Sequence, residues 1–375
     1  MAKNRSQLLD ILSEQSVAKQ ILNRPLSDQG FDEAVRYPFL AIVGQEEMKL
    51  ALLLSLINRQ VGGVLLIGPR GTGKTTAVRG LVSILPIVRH SKCARGCDDN
   101  NGIDAVCPDC AVKMGQGEAL TSIEPMRLIE LPLNSRLEDV VGGINERIAI
   151  EQNRVVVERG VLSYADQNLL YIDEVNLLDD QITNAILDAA AQGRFMVRRG
   201  PMTASYRSRL FLIGSMNPEE GHLRPQLQDR FGLRVFVGAL TETEDRLETY
   251  HRTTAYHRNP VQFYEEWEDH TDLTLQEIQI ARERLPKVGF EDGVQETGIR
   301  WIQTLEIESH RAEVTLFEAG RAYAAADARD KVTIEDLRIV APMALRQRRS
   351  EFMTSYIEGQ QQENDKIAQI LDEAT

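Results

Sequence analysis

The chain has 375 residues, room for about two to three domains at ~150 residues each, with 42% hydrophobic and 26% charged residues, the balance of an ordinary globular protein. Its 43 basic residues against 56 acidic ones leave a net charge of −13, which argues against a nucleic-acid groove as the main working surface. No apolar stretch approaches the ~20 residues that span a bilayer, and the polar start Met1-Ala2-Lys3-Asn4-Arg5-Ser6 lacks a signal-peptide core, so no membrane association and a cytoplasmic location are expected.

Residues 1–36 are polar with scattered apolar positions (Leu8, Leu9, Ile11, Leu12, Ile21, Leu22) and read as an N-terminal helical extension. From 37 to 240 apolar runs alternate with helical patterns, the signature of βαβ units and a parallel sheet. The predicted strands are Gly63–Ile67, Arg127–Leu131, Leu169–Asp173, Arg209–Ser215 and Leu233–Val237. The fold class expected is an α/β P-loop domain, a parallel five-stranded sheet flanked by helices, followed by an all-helical domain. Two hairpin insertions are expected within the α/β domain. Arg147–Ile150 and Arg154–Glu158 flank Glu151-Gln152-Asn153, and Arg194–Arg198 and Met202–Tyr206 flank Gly200-Pro201. Residues 241–265 read as a linker. The span 266–350 reads as a separate helical domain with helices at Leu275–Leu285, Gly293–Ile307, Leu316–Ala328 and Ile334–Arg348, and 351–375 as a tail.

Residues 68–75, Gly68-Pro69-Arg70-Gly71-Thr72-Gly73-Lys74-Thr75, match the phosphate-loop pattern at every fixed position, between an apolar strand and a helix opening at Thr76. The glycines let backbone N–H groups curl around phosphates, Lys74 reaches the β- and γ-phosphates, and the Thr75 hydroxyl can hold Mg²⁺. Leu169-Leu170-Tyr171-Ile172-Asp173-Glu174 is an apolar strand ending in two carboxylates, the Walker B form. Asp173 would support Mg²⁺ and Glu174 would orient or deprotonate the attacking water. ATP and Mg²⁺ are therefore the expected cofactors. Asn217, at the end of the next strand, is a candidate sensor of the γ-phosphate, although an Asn before a proline is more often a turn residue.

The four cysteines form one cluster, Cys93-x₃-Cys97-x₉-Cys107-x₂-Cys110, in a Cys-rich loop at 91–115. Four neighbouring thiolates can build a tetrahedral Zn²⁺ site. A redox pair and unpaired surface thiols are the alternatives that the spacing leaves open.

Four further segments carry a resemblance. They are Pro38–Leu54, Asp173-Glu174-Val175-Asn176-Leu177-Leu178-Asp179-Asp180, Gly214–Gly221 and Leu223–Leu233. Together they resemble AAA+ ATPases and, more narrowly, the ATPase (I) subunit of magnesium chelatase, from about Tyr37 to Arg348. The resemblance implies an AAA+ core with a C-terminal helical lid. It implies that Arg230 is an arginine finger on a neighbouring subunit's ATP and that Arg311 senses nucleotide. It also implies a homo-oligomeric ring, commonly a hexamer. Its partners would be an AAA+/integrin-I subunit and a large porphyrin-binding subunit that inserts Mg²⁺ into protoporphyrin IX. A MoxR-like remodelling ATPase, acting with an integrin-I (von Willebrand A-type) partner on another client, shares this core and is the alternative. A nucleic-acid motor fits less well, given the acidic charge and the lack of a Gly-Ala-Phe-Thr-Gly-Ala loop.

Overall fold

The computed structural model describes residues 35–144, 157–199 and 202–349. The N-terminal extension up to residue 34 and the tail from residue 350 lie outside them.

The central sheet has five strands, β1 (Val64–Ile67), β2 (Leu128–Leu131), β3 (Leu169–Ile172), β4 (Phe211–Met216) and β5 (Leu233–Phe236), in the order β5-β1-β4-β3-β2. All neighbouring pairs are parallel. Strands β1, β3 and β4 are buried at every position. That is why their sequences are continuous apolar runs rather than alternating ones. The edge strand β2 is only partly covered, and its exposed Glu130 pairs with Arg79 through two bonds of 2.9 Å.

The two-residue period of a strand splits this apolar content between two cores. Val64, Leu66, Leu169, Tyr171, Phe211 and Ile213 face one side, while Leu65, Ile67, Leu170, Ile172, Leu212 and Met216 face the other. The first core also holds Ile278, Leu316, Ala319, Leu337 and Val340. The C-terminal helices at Glu268–Arg284, Val294–Thr304, Arg311–Ala326 and Ile334–Leu345 therefore share one core with a face of the sheet. The expected C-terminal helical domain is thus present and packs against the α/β core through these residues.

Polar ties hold the same junction. Asn58, just after the helix Glu46–Ile57, donates to Glu318 Oε2 at 2.7 Å, and Arg282 donates to the Leu56 carbonyl. The buried Arg234 on β5 donates to the Arg346 carbonyl at 2.9 Å. Asn58 precedes the start of β1, so the helical part docks at the end of the strand opposite the phosphate loop.

Residues 241–265, expected as a linker, are largely helical at Thr243–Arg258 and Pro260–Glu265. The longer helix buries none of its side chains, so it lacks the apolar stripe by which a helix is recognised. Local charge supports it instead: Glu244 and Asp245 sit in the first turn, His257 and Arg258 in the last, and Glu248 pairs with Arg252 four residues on. Tyr256 and Phe263 anchor the segment against Tyr37.

The hairpin at Arg194–Arg199 and Met202–Arg207 forms as expected. Of the other, the described part is a base pairing Gly143–Ile144 with Val157–Glu158, and most of its expected arms lie outside the described residues. A third antiparallel pair, Ile87–Ser91 with Thr121–Pro125, frames the cysteine loop, which itself holds the helix Pro108–Gly115. No helix among the described residues is long and apolar enough to cross a membrane.

Candidate functional site

The chain leaves β1 through a loop whose glycines have separate reasons to be there. A Cβ on Gly68 would lie 2.1 Å from the Val237 carbonyl oxygen, so only glycine permits this approach to β5. Gly71 and Gly73 have φ of 77° and 87°, the left-handed region that favours glycine. An added Cβ at either would meet nothing within 4 Å, so the loop is an open cradle rather than a packed turn. The helix Lys74–Gly80 follows directly.

Parallel pairing sets Ile67 beside Met216, and Ile172 beside Gly214. The carboxyl ends of β1, β4 and β3 therefore open onto one cleft, the usual ligand position in a parallel α/β sheet. The cleft, about 240 Å³, is lined by residues 70–76, Asp173, Glu174, Ser215, Met216 and Asn217. Of the residues expected to hold ATP, Arg70, Gly71, Thr72, Gly73, Lys74, Thr75, Thr76, Asp173, Glu174 and Asn217 meet here. Gly68 and Pro69 do not line it; their carbonyls each accept from Lys74 Nζ at 2.7 Å. Burial pulls the Lys74 ammonium pKa down, while Asp173, Glu174 and Glu220 work to raise it.

Asp173 is held on every side. Tyr171 OH donates to its Oδ1 at 2.8 Å, Thr75 Oγ1 to its Oδ2 at 3.2 Å, and Ser215 Oγ also to Oδ1. Burial pushes the Tyr171 phenol up, so it remains a donor. The Thr75 hydroxyl and the Asp173 carboxylate place hard oxygen donors together, a set that suits Mg²⁺. Tyr171 and Ser215 escaped the sequence reading because both lie in apolar runs. The available signal was the strand period, since each stands two residues before Asp173 or Asn217 on the same strand face.

Glu174 has φ 51°, a left-handed conformation uncommon for a residue with a side chain. Its N–H donates to Ser215 Oγ at 3.0 Å, which fixes the bend. Its carboxylate lies 3.6 Å from Arg70 Nη2, and Arg70 also pairs with Glu220. Burial and the neighbouring Glu220 charge raise the Glu174 pKa, and Arg70 opposes the rise. Glu220 goes the other way: despite its burial, bonds from Asn217 and Arg70 hold it below the usual carboxylate range. Asn217 is buried, donates to Glu220 Oε1 at 3.1 Å and accepts from the Glu219 N–H at 3.2 Å. Glu220 was missed because acids in a Pro-Glu-Glu-Gly turn resemble a solvated loop.

Two predicted residues stand elsewhere. Arg230 pairs with Asp188 and does not line the cleft of its own chain. Arg311, expected at the nucleotide, does not line it either; it donates to Asp229 Oδ2 at 3.2 Å. The reason is the docking of the helical part at the far end of the sheet. Asp229 also accepts from Ser309 at 2.8 Å, from Arg348 at 2.8 Å and from Arg234 at 3.5 Å. Arg234 is pushed down to about 10 by burial and by the Arg348 charge.

The Sγ atoms of Cys93, Cys97, Cys107 and Cys110 all lie within 4.8 Å of one another, away from the nucleotide cleft.

Comparison with known proteins agrees with this geometry. An MCM P-loop domain model matches residues 146–230, and an AAA lid domain model matches residues 296–370. The magnesium-chelatase subunit ChlI homolog of Methanocaldococcus jannaschii is 40% identical over 90% of this chain and 91% of its own. The magnesium-chelatase 38 kDa subunit of Chlorobaculum parvum is 36% identical over 90% of this chain and 98% of its own. A solved structure of a Cytophaga hutchinsonii protein assigned as an ATPase, 20% identical, matches with a TM-score of 0.53 over 82% of this chain and 83% of that one, a likeness of fold. The chain belongs to the magnesium-chelatase I-subunit family of AAA+ ATPases.

Proposed function

We propose that this chain is the ATP-hydrolysing motor subunit of a magnesium chelatase. It works as a ring and drives a partner complex that inserts Mg²⁺ into protoporphyrin IX. The observation that carries this reading is a complete phosphate and carboxylate site in a chain 40% identical, over nine-tenths of its length, to a magnesium-chelatase subunit homolog. The porphyrin is expected on the partner and not on this chain.

In this reading the backbone N–H groups of residues 70–75 and the Lys74 ammonium hold the phosphates. Thr75 and Asp173 hold Mg²⁺, which when bound neutralises charge on the β- and γ-phosphate oxygens. Tyr171 and Ser215 hold the Asp173 carboxylate in place by donating to its Oδ1. Glu174 takes the proton of the attacking water, and its bend at φ 51° turns it toward the cleft. Asn217 positions the terminal phosphate and holds Glu220 away from the water. In this reading Arg230 serves a neighbour's cleft as an arginine finger, which makes the ring a condition for turnover, while Arg311, bonded to Asp229, does not reach the cleft of its own chain.

Mg²⁺-dependent ATPase activity of the purified chain, together with metallation of protoporphyrin IX once an integrin-I partner and a large subunit are added, tests the proposal. Turnover of ATP that never metallates the porphyrin would retain the motor and overturn the client. Absence of ATP turnover at any protein concentration would overturn the motor.

A further inference from the structure

The ATPase cycle uses none of the four cysteines, yet the fold gathers them. The antiparallel pair Ile87–Ser91 and Thr121–Pro125 brings the two ends of the loop together. Cys93 and Cys97 stand in the turn that follows the first strand, where Gly96 has φ 73°. Cys107 caps the helix Pro108–Gly115, and Cys110 lies buried in its first turn. Cys93 Sγ and Cys107 Sγ are 3.7 Å apart. A tetrahedral ion with metal–sulfur bonds of about 2.3 Å sets its sulfurs about 3.8 Å apart. A polynuclear iron–sulfur cluster needs its cysteines farther apart, around a body of several atoms.

The surrounding backbone is also arranged for sulfur. The Arg95 N–H donates to Cys93 Sγ at 3.4 Å and the Cys107 N–H to Cys97 Sγ at 3.3 Å. Such bonds stabilise thiolates and orient ligands around a metal. Apart from these sulfurs the loop has almost no core. Its apolar cluster comprises Cys97, Cys110 and Leu120, with Val106 and Met114 packed beside them. So small an apolar cluster offsets little of the ordering entropy of a loop this long, and a structural metal is one of the standard remedies.

We propose that Cys93, Cys97, Cys107 and Cys110 bind one Zn²⁺ in a closed structural site that braces the hairpin Arg194–Arg207 against the ATPase core. Each thiol gives up its proton on binding, and no oxidant or reductant is needed. The brace follows from what the loop touches. The Arg207 N–H donates to the Arg95 carbonyl at 3.2 Å, and its guanidinium donates to the carbonyls of Gly96 and Ala105, each at 3.2 Å. Ser163 Oγ donates to the Ala94 carbonyl at 3.0 Å. Arg209 bridges Asp98, at 3.6 Å, and Asp166, at 2.8 Å. The knuckle thus ties the end of the hairpin to the turn that leads into β3 and its two catalytic-site acids. This inference stands apart from the chelatase reading, because it rests on the cysteines and not on the client.

The test is the metal content of the full-length chain purified without chelators. About one zinc per chain is expected, released by a mercurial thiol reagent and lost in Cys107→Ser and in Cys110→Ser. Exchange with Co²⁺ should give thiolate-to-cobalt charge-transfer bands and the d–d bands of a tetrahedral site. This measurement on the wild-type chain keeps the proposal testable if the serine variants fail to fold. In folded Cys107→Ser, limited proteolysis should cut within residues 92–120 and near the hairpin faster than in the wild type, while ATP still binds. A chain that carries no zinc and takes up none when offered it would overturn the proposal, as would stoichiometric iron or a disulfide among the four cysteines.

Discussion

The nucleotide cleft and the cluster at Asp229 use the same residue types in opposite proportions. In the cleft, Lys74 and Arg70 face Asp173, Glu174 and Glu220, an excess of carboxylates. At Asp229 a single carboxylate receives Arg234, Arg311 and Arg348, with Arg230 next in sequence on Asp188. An acidic excess suits a divalent cation. At Asp229 much of the cationic excess is enclosed, since Arg234 and Arg348 are buried while Arg311 is half exposed. The difference teaches that one region leaves its charges open to a ligand and the other locks most of them into the fold; under the function proposed above, Arg230 beside it serves another copy's cleft.

The sharpest way to break this comparison is Arg230→Ala. If the guanidinium serves a neighbour, kcat should fall by about 10³-fold or more with ATP binding unchanged. Mixing Arg230→Ala with Glu174→Gln should restore part of the activity, because the intact Arg230 of one meets the intact cleft of the other. No recovery on mixing, in rings shown to co-assemble, would place Arg230 in a structural role instead. Glu174→Gln alone should lower kcat by about 10²- to 10³-fold and leave binding of a fluorescent ATP analogue unaltered. Unchanged turnover would move the general base elsewhere.

The two regions should also differ in stability. Arg348 is fully enclosed, and Asp229 is its carboxylate partner. Asp229→Ala leaves that charge buried without its ion-pair partner, facing neutral acceptors such as the carbonyls of Ala344, Phe231 and Gly232. The expected cost is about 3 kcal/mol, the low end for breaking a buried pair, read as a shift in the urea midpoint. The control is Arg224→Ala, which removes an exposed pair with Asp180 and should cost less than about 1 kcal/mol.

The contrast also explains what the sequence could reveal. The cleft was legible because its residues are local: Gly68–Thr75 form one loop, Asp173 and Glu174 end one strand, and Asn217 ends the next. Each of the five predicted strands lies within two residues of the observed one, since buried parallel strands announce themselves as apolar runs. The position of Arg311 was not legible. It depends on helices sharing a core with the sheet through Ile278, Leu316 and Leu337, and no periodicity reports which face a helix meets. The helix Thr243–Arg258 was missed for the opposite reason, having no buried face to report. Glu220 was missed because its partner Arg70 is 150 positions away in sequence and adjacent only after folding.

The smallest effect is the most specific to the cleft. Glu174 must be ionised to accept a proton, and burial with Glu220 raises its pKa. Activity should therefore fail, as pH drops, at a pH above the ordinary glutamate range. Arg70 opposes that rise, so Arg70→Ala should lift the Glu174 pKa further and move the acid limb of kcat upward. Arg70 is largely exposed and solvent screens its charge, so the loss at neutral pH should be at most about fivefold. A limb that moved downward in Arg70→Ala would mean that the proton passes through a group other than Glu174.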